Sequence, residues 1–276
     1  LRQDVPTLPE SFAGFRAGAF VSAWPAGPEG GMGRGWEIFD GPASSERPGD
    51  VAVRRALAWL PTDGPALLWV HLYEPHGPYV GEGGTDVERY ASEVARADAM
   101  LAPLLKELRR RQARIVVAAD HGEILLEERC GRQHERSTSD HVLHVPLFRW
   151  EGGGVAVVRD DRVGLTEVPA LLHGVAWGQA ELMARDAWAA ESGMCEPGCA
   201  IGCAPTGLQG RDRVVIDDGG RWVHRPGSGV FAEGAPDPAH RALLEAIPPL
   251  AAPGGATNAE ALELLGYTVP GAPEAR

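Results

Sequence analysis

Residues 113–123, Ala-Arg-Ile-Val-Val-Ala-Ala-Asp-His-Gly-Glu, constrain this chain more than any other stretch. The apolar run from Ile115 to Ala119 is short, β-branched at its start and continuous, the pattern of a strand buried on both faces of a parallel sheet. It breaks abruptly into Asp120, His121, Gly122 and Glu123. In open α/β sheets ligands collect where strands end and the chain leaves the sheet. An acid and an imidazole therefore stand where such folds keep their chemistry.

Residues 66–73, Ala-Leu-Leu-Trp-Val-His-Leu-Tyr, form a second apolar strand candidate, which breaks into Glu74-Pro75-His76-Gly77-Pro78-Tyr79. Between the two lies the longest helical pattern of the chain, residues 86–111. Its stripe comprises Tyr90, Val94, Ala97, Leu101, Leu104, Leu105 and Leu108, and residues 106–111 put positive charge at the C-terminal end. Strand, helix and strand make one βαβ unit, so the strands should run parallel through a right-handed crossover. That arrangement would bring His76 and Asp120 to the same edge.

The flanks fill in the architecture. Upstream, the pattern predicts a short helix over 8–15, a strand over 17–22, a Gly/Pro loop over 27–35 and a helix over 50–60, with Trp36, Ile38 and Phe39 facing a core. Downstream it predicts strands at 144–149 and 155–158, helices at 165–175 and 180–190, a hairpin over 213–224, and terminal helices at 238–247 and 258–265. The fold class is α/β: a mostly parallel central sheet with flanking helices over 1–177, followed by a smaller C-terminal α+β region over 178–276.

Charge and composition narrow the function. The formal net charge of −12 argues against a nucleic-acid partner or an anionic membrane surface. An anionic substrate is compatible with it, because a metal or Arg reverses the sign of one pocket. No apolar stretch approaches the ~18–20 residues of a membrane span. Cys195, Cys199 and Cys203 cluster without zinc-ribbon spacing. A disulfide in an exported protein, a reduced cluster and a metal site are all consistent with them, and Cys130 is a further candidate to pair with one of the three.

Asp120 and His121 offer an oxygen and an imidazole nitrogen, a set suited to Zn, Mn or Fe, with Ca tolerable if other oxygens join. Adjacent residues point to one ion only where the strand has ended, and Gly122 would supply that freedom. The bland alternative is an Asp that caps the next turn beside an exposed His. His76 lies between Pro75 and Pro78 in a stiff loop, which suits a positioned acid or an anion contact as well as a His with no role. His134 is a weaker candidate for the same pocket, His71 reads as a buried core residue, and His141 and His144 read as structural.

As a set, these residues resemble the sulfatase family of the alkaline-phosphatase-like superfamily. Pro75-His76-x-Pro78-Tyr79, Asp120-His121-Gly122-Glu123 and Val145-Pro146-Leu147 carry the likeness. Residues 14–22, 33–40, 167–172 and 264–267 follow further family segments in the same order. The resemblance implies hydrolysis of sulfate or phosphate esters at one divalent metal ion (Ca, Mn or Zn), with Asp120 and His121 as metal ligands. His76 would contact the transferred group or protonate the leaving oxygen, and His134 would contact the sulfate. In the family, a first strand with Asp ligands and a Cys/Ser/Thr-x-Pro-x-Arg nucleophile segment precede the part matched by residues 14–22. The chain is therefore expected to lack both and to be inactive alone. Two alternatives accompany the hydrolase: a catalytically inactive binding or scaffold domain, and a phospho- or phosphoglycerol-type transferase. An extracytoplasmic location follows the family habit and the cysteines.

Overall fold

The computed structural model describes residues 5–28, 31–125, 134, 138–153, 156–160, 162–174, 188–191, 213–217, 220–225 and 229–233. They fall into two compact units, one within Leu1–Arg111 and one within Gln112–Gly255. The architecture is α/β, with a parallel sheet and flanking helices.

The first unit is built on three parallel strands, β1 (Arg16–Val21), β2 (Ile38–Asp40) and β3 (Ala66–His71), in the order β2-β1-β3. The central strand, β1, is buried at every position from Ala17 to Val21. Its neighbours are in register, Gly18 beside Ile38 and Leu68, and Phe20 beside Asp40 and Val70. That register puts Phe20, Ile38, Leu68 and Val70 on one face, where α1 (Gly49–Trp59) lays Ala52, Ala56 and Trp59 over them. Phe20 and Trp59 meet with ring centroids 5.8 Å apart. Gly18 leaves room for the Trp59 indole, whose ring atoms would stand 2.9 Å from a Cβ there, and the indole packs with Phe20 beside the small alanines of the helix. The small helix expected over 8–15 shrinks to a single 3-10 turn, Pro9–Ser11.

The second helix of this unit, α2 (Asp86–Arg110), packs beside α1. Thr85 and Glu88 close a capping box at its start, with Asp86 and Glu88 in the first turn and Arg109 and Arg110 in the last, so both ends complement the helix dipole. Leu104 is buried as the stripe requires, whereas Val94 is exposed and Glu93, one position earlier, is buried at 3% exposure. A hydrophobic stripe assigns apolar residues to the core and has no means of signalling a carboxylate turned inward to bind backbone.

In the second unit, β4 (Ile115–Ala118) pairs antiparallel with β5 (Leu147–Trp150), Ile115 opposite Trp150 and Ala118 opposite Leu147. The parallel ladder expected between residues 66–73 and 115–119 is not among the described pairings: β3 pairs with β1, and β4 with β5. An apolar run reports burial and says nothing of its neighbour's direction. Even the burial is partial, since Ile115 is buried and Ala118 exposed. A short helix α3 (Asp140–Leu143) precedes β5, and α4 (Val168–His173) packs on β4 and ends at Gly174 in the left-handed conformation. Residues 156–158 are not strand.

Farther along the same unit, β6 (Trp188–Glu191), β7 (Arg213–Asp217), β8 (Gly220–Arg225) and β9 (Gly229–Glu233) form an antiparallel sheet in sequence order. The β7–β8 hairpin is the one expected from the sequence. Residues 188–191 are strand instead of the end of a helix, because the ladder to the apolar β7 overrides the helix preference of Ala189 and Ala190. The terminal helices and all four cysteines lie outside the described residues. Replacing Phe20 by Ala removes the ring that fills the β1–α1 interface. It should destabilise the protein by about 3–5 kcal/mol, read as a lower urea midpoint at unchanged slope.

Candidate functional site

Immediately after β4 the backbone passes against α3. Gly122 N donates to Val142 O at 2.8 Å, and a Cβ on Gly122 would stand 2.0 Å from His141 O. Gly122 is not among the residues of positive φ, so glycine is required here for room and not for an unusual conformation. This corrects the expectation that Gly122 supplies backbone freedom. Held against α3, the segment turns Asp120 outward and His121 and Glu123 inward. The Asp120 side chain is 79% exposed, and its Oδ1 accepts from the His121 backbone N–H at 3.0 Å.

His121, Glu123 and His134 converge. One ligand atom from each lies within 4.8 Å of the other two. The His121 and His134 rings stack with centroids 3.7 Å apart and planes 16° from parallel. His134 Nδ1 donates to Glu123 Oε1 at 2.9 Å, and the two side chains are 9% and 7% exposed. His121 Nδ1 donates to Gly122 O at 3.0 Å. A carbonyl only accepts, so Nδ1 of His121 holds the proton and Nε2 carries the lone pair. A carboxylate oxygen of Glu123 as acceptor places the proton of His134 on Nδ1 in the same way. Asp120 Oδ2 lies 3.7 Å from His121 Nε2. Two imidazoles with two carboxylates at hand make a donor set that fits a divalent ion.

His76 belongs to the first unit, in the loop that follows β3. Its ring stacks on Tyr73, with centroids 4.3 Å apart and planes at 17°, and Tyr73 Oη is 3.3 Å from Nε2. Nδ1 donates to Gly77 O at 2.6 Å. The loop is tied at both ends by carboxylates that the sequence reading passed over. Before His76, Glu74 Oε1 accepts from Gly49 N at 3.1 Å at the start of α1, and a Cβ on Gly49 would fall 2.7 Å from Glu74 Oε2. After it, the buried Glu93 accepts from Val80 N at 2.7 Å and Gly81 N at 3.1 Å. His71 is half-buried between Trp69 and Tyr73 on the face of the sheet away from α1, and His141 and His144 are exposed.

The structure thus joins His121 to His134 and keeps Asp120 within reach of His121. Glu123, named in the sequence only as part of a motif, is the residue that binds the pair together. A Glu two positions past a candidate ligand was the one available signal.

Residues 45–173 match the Sulfatase family model, a span that holds His76, Asp120, His121, Glu123 and His134. No curated protein matches the chain in sequence. The fold is similar to that of the phosphonate monoester hydrolase SpPMH from Silicibacter pomeroyi, with a TM-score of 0.60 at 15% identity over 89% of this chain and 78% of that one. It is also similar to the phosphonate monoester hydrolase of Agrobacterium radiobacter, with a TM-score of 0.51 at 14% identity over 80% and 71% of the two chains. The fold is therefore alkaline-phosphatase-like, as the resemblance in sequence implies.

Two substitutions test the supports of this domain. Gly122→Ala forces a methyl onto the His141 carbonyl and should cost about 1–3 kcal/mol, measured by denaturant unfolding. Glu93→Ala strands the Val80 and Gly81 N–H groups. It should cost about 1–3 kcal/mol and speed amide hydrogen exchange at those two residues in preference to β1.

Proposed function

We propose that this domain is a metal-dependent hydrolase of esters of tetrahedral oxyanions, namely sulfate, phosphate or phosphonate monoesters. The observation that carries the reading is the end of β4, where Asp120 and His121 stand beside a buried Glu123–His134 pair inside the span matched by the sulfatase model. The named activity of the two structural neighbours supports the ester class.

In this reading Asp120 and His121 hold the divalent ion, which when bound polarises an oxygen of the ester group and offsets charge that develops there. The ring of His76 is fixed by the Tyr73 stack and the Gly77 carbonyl, which keeps its Nε2 in one place. In the imidazolium form, with both ring nitrogens protonated, that nitrogen is assigned to deliver its proton to the departing alcohol, leaving the neutral ring with its Nδ1–H on Gly77, or else to contact the transferred group. No Cys/Ser/Thr-x-Pro-x-Arg segment occurs in the 276 residues, so the attacking group is not assigned to a residue here. Location outside the cytoplasm remains part of the proposal.

The test uses protein expressed from its full reading frame, with p-nitrophenyl sulfate, p-nitrophenyl phosphate and a p-nitrophenyl phosphonate monoester, each under Zn2+, Mn2+ and Ca2+. Turnover of at least one class is expected, abolished by EDTA and reduced about 100-fold or more in kcat/KM by His76→Asn. Folded, metal-loaded protein that turns over none of the three would refute the hydrolase and leave the binding-domain alternative.

A further inference from the structure

We propose that His134 is a metal ligand, sharing one ion with His121 and oriented by Glu123, and that the ion is of the zinc class and not calcium. The use of that ion in hydrolysis rests on the function proposed above; the binding itself does not. The sequence resemblance would instead place His134 on the oxygens of the transferred group, so the two assignments make opposite predictions for metal affinity.

Distance is the first argument. Zinc takes its nitrogen and oxygen ligands tetrahedrally at ~2.0–2.2 Å, so two donors on one ion stand about 3.3–3.6 Å apart. One donor atom each of His121, Glu123 and His134 already lies within 4.8 Å of the other two, which puts both imidazoles within a small side-chain shift of one ion. With the rings stacked at 3.7 Å, an ion on His121 has the His134 imidazole as its neighbour.

Tautomer is the second. Imidazole ligands to metals donate their other ring N–H to a carboxylate or a carbonyl, which fixes the ring and raises its basicity. Both rings here are held in that manner, His134 by Glu123 and His121 by the Gly122 carbonyl. A nearly buried carboxylate beside a nearly buried imidazole is the arrangement of a ligand and its support.

The lone pairs lie in the ring planes, so the 16° stack must open for both to point at one ion. His121, with its side chain 31% exposed, is the ring with room to turn, while Glu123 keeps His134 in place. Donor type then selects the metal. Two imidazoles favour zinc and its neighbours in the first transition row, whereas calcium takes six to eight oxygens.

The decisive measurement is Zn2+ and Ca2+ binding to the protein by equilibrium dialysis with elemental analysis, for wild type, His134→Asn and Glu123→Gln. Expected are one Zn2+ per chain in wild type, Zn2+ bound more tightly than Ca2+, and Zn2+ affinity lowered tenfold or more by His134→Asn and about 10- to 100-fold by Glu123→Gln. Wild-type-like Zn2+ affinity in His134→Asn overturns the proposal, as does a preference for Ca2+ or absence of Zn2+ binding in wild type. If His134→Asn does not fold, the imidazole 15N signals of wild type decide. Two Nε2 resonances should move together on adding one equivalent of Zn2+, and movement of one alone refutes the assignment. Turnover without His134-dependent Zn2+ binding removes this ligand set and leaves the hydrolase. Zn2+ bound through His134 without turnover removes the hydrolase and leaves the ligand set.

Discussion

Everything at the end of β4 depends on a contact that only a missing side chain permits. Because residue 122 has no Cβ, the backbone can lie against the His141 carbonyl and donate its N–H to Val142. That closeness ties β4 to α3, and it sets which way the flanking side chains leave the chain. Asp120 goes outward, while His121 and Glu123 go inward to meet His134. A methyl at that one position would have to push two backbone segments apart before any of the donors could assemble.

A second theme runs through both units: buried or half-buried carboxylates serve as clamps. Glu74 accepts from the first turn of α1, Glu93 from two successive amides after the His76 loop, and Glu123 from an imidazole. Each satisfies donors that would otherwise be stranded, and hydrogen bonds to a charged acceptor are worth about 1.5–3 kcal/mol. Used in this way, a charge that is costly to bury becomes a means of fixing geometry. The loop with His76 and the turn with His121 are irregular backbone. They are held by side-chain acceptors where a helix or strand would be held by its own ladder.

Much of the fold was legible in advance for a simple reason. Where burial follows the period of the backbone, as in β1, α1, most of α2 and the β7–β8 hairpin, the pattern of apolar residues states the element directly. It failed where the same pattern serves two purposes. The run at 115–119 reads as the interior of a parallel sheet, yet β4 lies antiparallel to β5 and is only partly covered. Ala189 and Ala190 read as helix and are strand. Glu93 was invisible because no periodicity marks a carboxylate that faces the core to hold another segment.

By itself, then, the order of residues determined which groups are candidates for chemistry: Asp120 and His121 at a strand end, His76 between prolines, and a family likeness spread along the chain. These are local facts, written in residue type and spacing. The tertiary structure alone decided which of them share a place. It set His134, thirteen positions from His121, face to face with that ring, and gave Glu123 the task of holding it. The reason is physical. A hydrogen bond and a ring stack are properties of distance in space, and one backbone contact at Gly122 converts separation along the chain into that distance.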